Sequence, residues 1–312
     1  MALNIKGDNI SGASILGRRC LDLFLDCLQR GRERSKEDLF EQLVVVGRDL
    51  IKAQPSMASV FNRINFALSV AKDASVQTVS VEEAKNLISR EIRRYQNENE
   101  KALERIAEFG SQIISGWDTV MTYSASSLVE AILICTKRSG KRFTVIVPES
   151  RPMFEGTRMA LRLCQQEVKC SLIVDAAISK FIDRANVLLV GADRVTEDTL
   201  VNKVGTRGVA LLAKAASVPI YAAFETDKFL PRRYLPVVDR QQDPAQICET
   251  TDQYLTVQNI YFEETPLDYF FGFVTEKGIV SPEELGTTLG EPSVIQELTG
   301  FSSVELTGGS QC

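Results

Sequence analysis

Histidine is absent from all 312 residues. That single absence removes Ser/His and Cys/His nucleophile pairs and most zinc sites. Acid–base chemistry then falls to Asp, Glu, Lys, Cys or Tyr, or to a hydroxyl activated by one of them. The seven cysteines contain no Cys-x-x-Cys pair. An odd count without a signal sequence points to free thiols in a reducing compartment, so a cytoplasmic location is expected. The start, Met1 to Ser14, is too polar for a secretory signal, and no apolar run approaches the roughly 20 residues that a membrane span needs. No metal site and no cofactor is expected. A formal charge of −5 argues against a protein that coats nucleic acid, although it leaves room for a local basic pocket.

What is present is a 44% hydrophobic composition, ample for a packed core. Two regions differ in pattern: 1–115 reads as a helical domain and 116–312 as a sheet-based one. Ile15, Cys20, Leu21, Leu23, Phe24, Cys27 and Leu28 keep mostly to one side of a helical wheel that Gly31 ends. Ser35 with Asp38, and Ser80 with Glu83, have capping-box spacing, and Pro55 breaks the connection between helices. The run containing Arg90, Arg93 and Arg94 reads as the solvated face of a long charged helix. From Trp117 onward, short apolar strands alternate with helical stretches. Strands are expected at 119–122, 143–147, 172–174, 187–190 and 219–223, with a further one at 259–262 and a turn at Pro266. Residues after about 290 read as a frayed tail. The fold class is α/β, a helical N-terminal domain followed by a Rossmann-like, doubly wound, mostly parallel sheet.

Residues 186–229 organise the rest. An apolar strand runs into Gly191 and at once into an acid, Asp193. Asn202, Lys203, Gly205 and Thr206 precede a helical pattern at 209–216, so a lysine and free backbone N–H groups meet at a helix N-terminus, where phosphate binds readily. A second strand leads out to Glu225, Thr226 and Lys228. In an open α/β sheet these residues gather at the carboxyl edge of the strands, where ligands bind. Three further strand ends belong there: Ser124 and its neighbours, Glu149-Ser150-Arg151-Pro152 with Gly156, and Asp175. Arg151 suits bidentate phosphate contact. Each has a plainer reading as a helix cap or a surface ion pair, and the convergence of several makes the site.

Gly191-Ala192-Asp193, Asn202-Lys203-Val204-Gly205-Thr206, Glu149-Ser150-Arg151-Pro152 with Gly156, Glu225-Thr226-Asp227-Lys228-Phe229 and Phe262-Glu263-Glu264-Thr265-Pro266 together resemble one family. It is that of the translation initiation factor 2B alpha, beta and delta subunits, which also contains archaeal ribose-1,5-bisphosphate isomerase and methylthioribose-1-phosphate isomerase. The resemblance is dense over 117–285 and looser before it. It implies homodimers able to assemble further through the Rossmann-like domain. In the isomerases a cysteine after the first Rossmann strand works with the aspartate of Gly-Ala-Asp. Here Asp193 is kept, while Thr122-Tyr123-Ser124 stands where the family has Thr-His-Cys, so Ser124 replaces the thiol. Ser11-Gly12-Ala13 matches an Arg-Gly-Ala motif and Gln54-Pro55-Ser56 an Arg-Pro-Thr motif, each with its arginine gone. Gly12 and Ala13 are therefore carried over as substrate-binding positions, with the phosphate grip built from Arg151, Asn202, Lys203 and Lys228. Arg63 and Arg18 are candidate replacements for the lost arginines. Three readings stay open: a sugar-phosphate-binding protein of the isomerase type, working by a thiol-free route or keeping only binding; a different reaction on a phosphorylated sugar or nucleotide; or a non-catalytic regulatory or assembly protein with a translation-factor partner.

Overall fold

The computed structural model describes residues 12–236, 241–249 and 252–301. Among these residues four helices come first: α1 (Ala13–Arg30), α2 (Lys36–Ala53), α3 (Ala58–Gln77) and α4 (Val81–Ile113). Two serines start α2 and α4 as their spacing predicts: Ser35 Oγ accepts from Asp38 N at 3.0 Å and Ser80 Oγ from Glu83 N at 3.2 Å. At α4 the glutamate reaches back one residue further than a capping box requires, accepting from Val79 N at 3.1 Å. The connection through Pro55 separates α2 from α3. Leu16, Phe24 and Leu28 of α1 share one core with Leu43, Leu50, Ile64, Leu68 and Ile88. These are the stripes that the 3.6-residue period puts on one face. No helix among the described residues is long and apolar enough to cross a membrane.

The described residues of the second part form ten strands and four more helices of eight residues or longer. In chain order they are β1 (Thr119–Tyr123), α5 (Ser127–Arg138), β2 (Thr144–Pro148), α6 (Glu155–Gln165), β3 (Lys169–Ile173), β4 (Val187–Gly191), β5 (Arg194–Val195), β6 (Thr199–Lys203), α7 (Thr206–Ala215), β7 (Ile220–Ala223), β8 (Phe262–Pro266), β9 (Gly272–Thr275), β10 (Gly278–Val280) and α8 (Pro282–Leu289). Short helical turns fill 175–184. Seven strands form one sheet in the order β10-β9-β7-β4-β1-β2-β3. All neighbours are parallel except the β9/β10 pair. Both faces are buried: Val187 and Leu189 of β4 pack on one side, Leu188 and Val190 on the other. A continuous apolar run is what a strand covered by helices on both faces requires.

The chain runs outward from β1 through β2 to β3, then crosses back to β4 and proceeds the other way through β7 to β9. The order therefore reverses between β1 and β4, the place where an open α/β sheet leaves a crevice for ligand.

Several expectations are corrected. A second sheet, β5-β6-β8, is antiparallel and separate from the first. Lys203 ends β6 and, as expected, stands just before a helix, α7. The strand expected at 259–262 runs Phe262–Pro266, and Pro266 pairs with Thr199 as part of that strand instead of making the turn. The strand expected at 172–174 begins at Lys169. Residues 292–301 are no frayed tail. Val294, Ile295, Leu298 and Phe301 pack on the helical core, and Asn65 ties them down by donating to Ser293 O and accepting from Ile295 N. Enough apolar side chains cluster there to offset the entropy of ordering them. The end of that expected tail, from 302 onward, lies outside the described residues.

Candidate active site

At the crevice between β1 and β4 the backbone is held in unusual shapes by side chains from neighbouring strand ends. Ser124, just after β1, has φ 61°, and Ser150, just after β2, has φ 62°. A left-handed conformation is costly for a residue with a Cβ and persists only where surroundings enforce it. The enforcement is visible. Ser124 N donates to Ser150 Oγ at 2.9 Å, and Ser150 and Arg151 N–H groups donate to the two oxygens of Asp175 at 2.8 and 2.7 Å. Asp175, a candidate cap for its own helix, instead clamps the loop after β2. Ser126, two residues past Ser124, caps α5 by accepting from Val129 N at 3.4 Å. Gly191 lets this turn approach β4, because a Cβ there would sit 2.6 Å from Ser126 Cβ and Oγ.

The second sheet positions Asp193 and Lys203, and the turn after β7 of the first brings in Lys228. Asp193 N donates to Val201 O at 2.9 Å across the β5–β6 hairpin. This fixes the acid beside the residues that follow Val201. Asn202 Nδ2 donates to Thr206 Oγ1 at 3.1 Å, and that hydroxyl donates to Lys203 O at 2.6 Å, locking the end of β6 to the start of α7. Gly205, at φ 100°, makes the junction, with Tyr123 so close that a Cβ would meet its hydroxyl at 2.1 Å. Lys203 and Lys228 are both buried, at 4% and 5% exposure. Lys203 Nζ lies 2.7 Å from Glu155 Oε1 in the first turn of α6 and 4.5 Å from the Tyr261 ring centre. Lys228 Nζ donates to Ala192 O at 2.7 Å. Burial pushes the Asp193 carboxyl above the usual range, Lys228 and Lys203 pull it back in part, and the Glu155 charge adds to the upward push.

Ser124, Asp193, Asn202, Lys203 and Lys228 line one cleft of about 580 Å³ together with Gly12 and Ala13 at the start of α1 and Gln54 to Ser56 between α2 and α3. Its size suits a small ligand. Arg151 is not among the lining residues. It is exposed, with its guanidinium 4.9 Å from the Phe154 ring centre. Arg158 and Arg162, one and two turns into α6, line the cleft instead. Arg158 donates to Met153 O, and Arg162 grips Glu130 through Nε and Nη2 at 2.8–3.0 Å. Neither candidate replacement for the lost arginines lines it either. Arg63 is tied to Glu225 and Asp227, and Arg18 lies 2.8 Å from Glu100. Sequence reasoning missed Glu155, although it stands inside the Arg151-to-Gly156 stretch singled out for phosphate binding. An acid at the first turn of a helix is so common a cap that its type alone gave no signal.

A doubly wound sheet with two buried lysines and a carboxyl at its switch point, closed over by helix ends from the N-terminal part, is the build of an α/β protein with a cleft at the carboxyl ends of its strands. The chain belongs to the Initiation factor 2 subunit family, whose sequence profile matches residues 9–282. It is 31% identical over 310 residues to ribose 1,5-bisphosphate isomerase of Archaeoglobus fulgidus, covering 97% of this chain and 94% of that one. It is 32% identical over 279 residues to an eIF-2B subunit 2-like protein of Pyrococcus furiosus, covering 89% and 94%. The crystal structure of a Pyrococcus horikoshii translation initiation factor eIF-2B superposes with a TM-score of 0.74 at 29% identity, over 90% of this chain and 95% of that one.

Proposed function

We propose that the chain is a sugar-phosphate isomerase of the aldose-1-phosphate to ketose-1-phosphate kind, a cytoplasmic homo-oligomer in which Ser124 stands where relatives carry a thiol. The observation that carries this reading is the confrontation of Asp193 with Lys203 and Lys228 across one cleft at the sheet's switch point. The lysines, Asn202 and Arg158 supply donors for phosphate, Arg158 being held by a neutral carbonyl. A carboxyl that burial pushes toward its protonated form is suited to giving its proton to a departing sugar oxygen. The Archaeoglobus relative, named for an isomerase of this kind, supports the assignment.

The second reading is a non-catalytic regulatory or assembly protein that uses the cleft to sense a phosphorylated metabolite while binding a translation-factor partner. Ser124 favours it, since a hydroxyl is a far weaker base than a thiolate and no histidine exists to activate it. The eIF-2B subunit 2-like relative supports it equally.

Thermal unfolding with a panel of ribose 1,5-bisphosphate, other pentose phosphates and nucleoside monophosphates tests the shared part. A ligand at about 100 times its Kd should raise Tm on the order of 5 °C, and Lys203→Ala should abolish the rise. No shift of the wild type with any member would defeat both readings. Formation of ketose phosphate from a ligand that binds then selects the isomerase; binding without turnover selects the regulator.

A further inference from the structure

Resting on the isomerase reading, we propose that Glu155 is the base of the reaction, taking over from the missing thiol the removal of the proton on C2 of the sugar, with Asp193 as the acid. Three carboxyl groups among the described residues line the cleft: Glu130, Glu155 and Asp193. Glu130 is closed off, both of its oxygens being held by Arg162. Asp193 is assigned to the acid. Glu155 is held by one oxygen only. Its Oε1 lies 2.7 Å from Lys203 Nζ, while Oε2 is buried and has no hydrogen-bond partner.

A buried carboxylate oxygen without a donor is costly. Such groups in a cleft are candidates for accepting something that arrives with the ligand. Lys203 fixes the side chain through one oxygen and leaves the other without a donor, an orienting role of the kind a base needs. The remaining alternative, Ser124 Oγ, would need a strong base beside it before it could take a proton from carbon.

The steps balance without any co-reactant. Glu155 takes the proton from C2, and the C2–H electron pair becomes the C1–C2 double bond. The bond from C1 to the ring oxygen breaks, and that oxygen takes the proton of Asp193. The open-chain enol phosphate then gives its C2 hydroxyl proton to the Asp193 carboxylate. C2 becomes a carbonyl, and the double-bond electrons take the proton back from Glu155 at C1. C1 is reduced, C2 is oxidised, and both side chains regain their starting states.

The test compares full-length wild type with Glu155→Gln on ribose 1,5-bisphosphate, following both ketose formation and the ligand-induced rise in Tm. Glutamine keeps an oxygen for Lys203, so the variant is expected to fold and to bind. Loss of a general base should lower kcat by roughly 100-fold or more, with KM and the Tm rise little changed. Glu155→Asp should recover part of the loss. Turnover of Glu155→Gln within threefold of wild type would overturn the proposal. A Tm rise lost together with turnover would also overturn it, because Glu155 would then be part of the binding site. Wild type that binds but forms no ketose would overturn it while leaving ligand binding intact, and wild type that does not bind would defeat the isomerase reading itself.

Discussion

Two regions of the molecule use the same ingredients, buried cations among carboxylates; burial pushes a carboxyl upward in each, Glu225 in one and Asp193 in the other, and the regions differ in how the cation is held. Where α1 and α3 meet the end of β7, Arg63 donates through Nε to Asp227 Oδ2 at 2.7 Å, through Nη2 to Glu225 Oε1 at 3.2 Å, and through Nη1 to Ser14 O at 2.9 Å. Burial opposes the guanidinium charge, yet Asp227 and Glu225 outweigh it and raise the Arg63 pKa. In the cleft, burial outweighs Lys228 and Lys203, and the Asp193 carboxyl is pushed toward its neutral form. Geometry separates the two cases. The arginine fork spreads its donors over three acceptors at once, whereas Lys203 and Lys228 direct theirs at Glu155 and at Ala192 O. Asp227 Oδ1 lacks a partner too, but its other oxygen carries the shortest bond of the arginine. Lys228 belongs to both regions, since its Nζ also lies 3.8 Å from Glu225 Oε2. The first region joins the helices to the sheet through one arginine, and the second divides its charges between two lysines that line a cleft.

The sharpest way to break this comparison is Arg63→Ala. Removing one member of a buried ion network leaves the others uncompensated and costs about 3–5 kcal/mol. Urea unfolding should show that loss, and a cost below about 1 kcal/mol would mean that the arginine does not join the two parts. Ser150→Ala probes the cleft floor with a smaller expected effect. It strips the partner from the buried Ser124 N–H, a loss of about 1–3 kcal/mol. Because the same bond shapes the turn that carries Ser124, a ligand-induced rise in Tm should shrink with it. An unchanged rise would show that the left-handed turn holds without Ser150.

How much of this was legible beforehand depends on the range of the forces involved. Five strands of the main sheet, β1 to β4 and β7, and the caps at Ser35 and Ser80 rest on local pattern and could be read, whereas β9 and β10 were missed. So could the gathering of Ser124, Asp193, Asn202, Lys203 and Lys228, because strand ends converge in this fold whatever the loops do. The β5–β6 hairpin was missed, although Val195 and Thr199-Leu200-Val201 flank a polar turn. A two-residue strand is too short to show alternation. Arg151 and Arg63 were beyond reach for a different reason. Which arginine faces the cleft depends on how far the loop after β2 turns outward and on carboxylates some 160 positions away in the chain. Neither leaves a mark on nearby residues.

The smallest expected effect, and the one that bears most closely on the contrast between the two regions, is the stability of Asp193→Asn. The folded carboxyl has a raised pKa. Its favourable contribution is therefore complete only below the unfolded carboxylate range near pH 3.9, and is lost as pH rises through the folded value. Asparagine has no charge to desolvate. At pH 7 the variant should melt higher than wild type by a few degrees at most, with the gap closing as pH falls toward 4, while ketose formation disappears. An asparagine variant that melts lower at pH 7, or whose gap does not change with pH, would mean that Lys203 and Lys228 settle Asp193 as fully as Asp227 and Glu225 settle Arg63. In that case the cleft would be a second structural joint instead of a site held ready for chemistry.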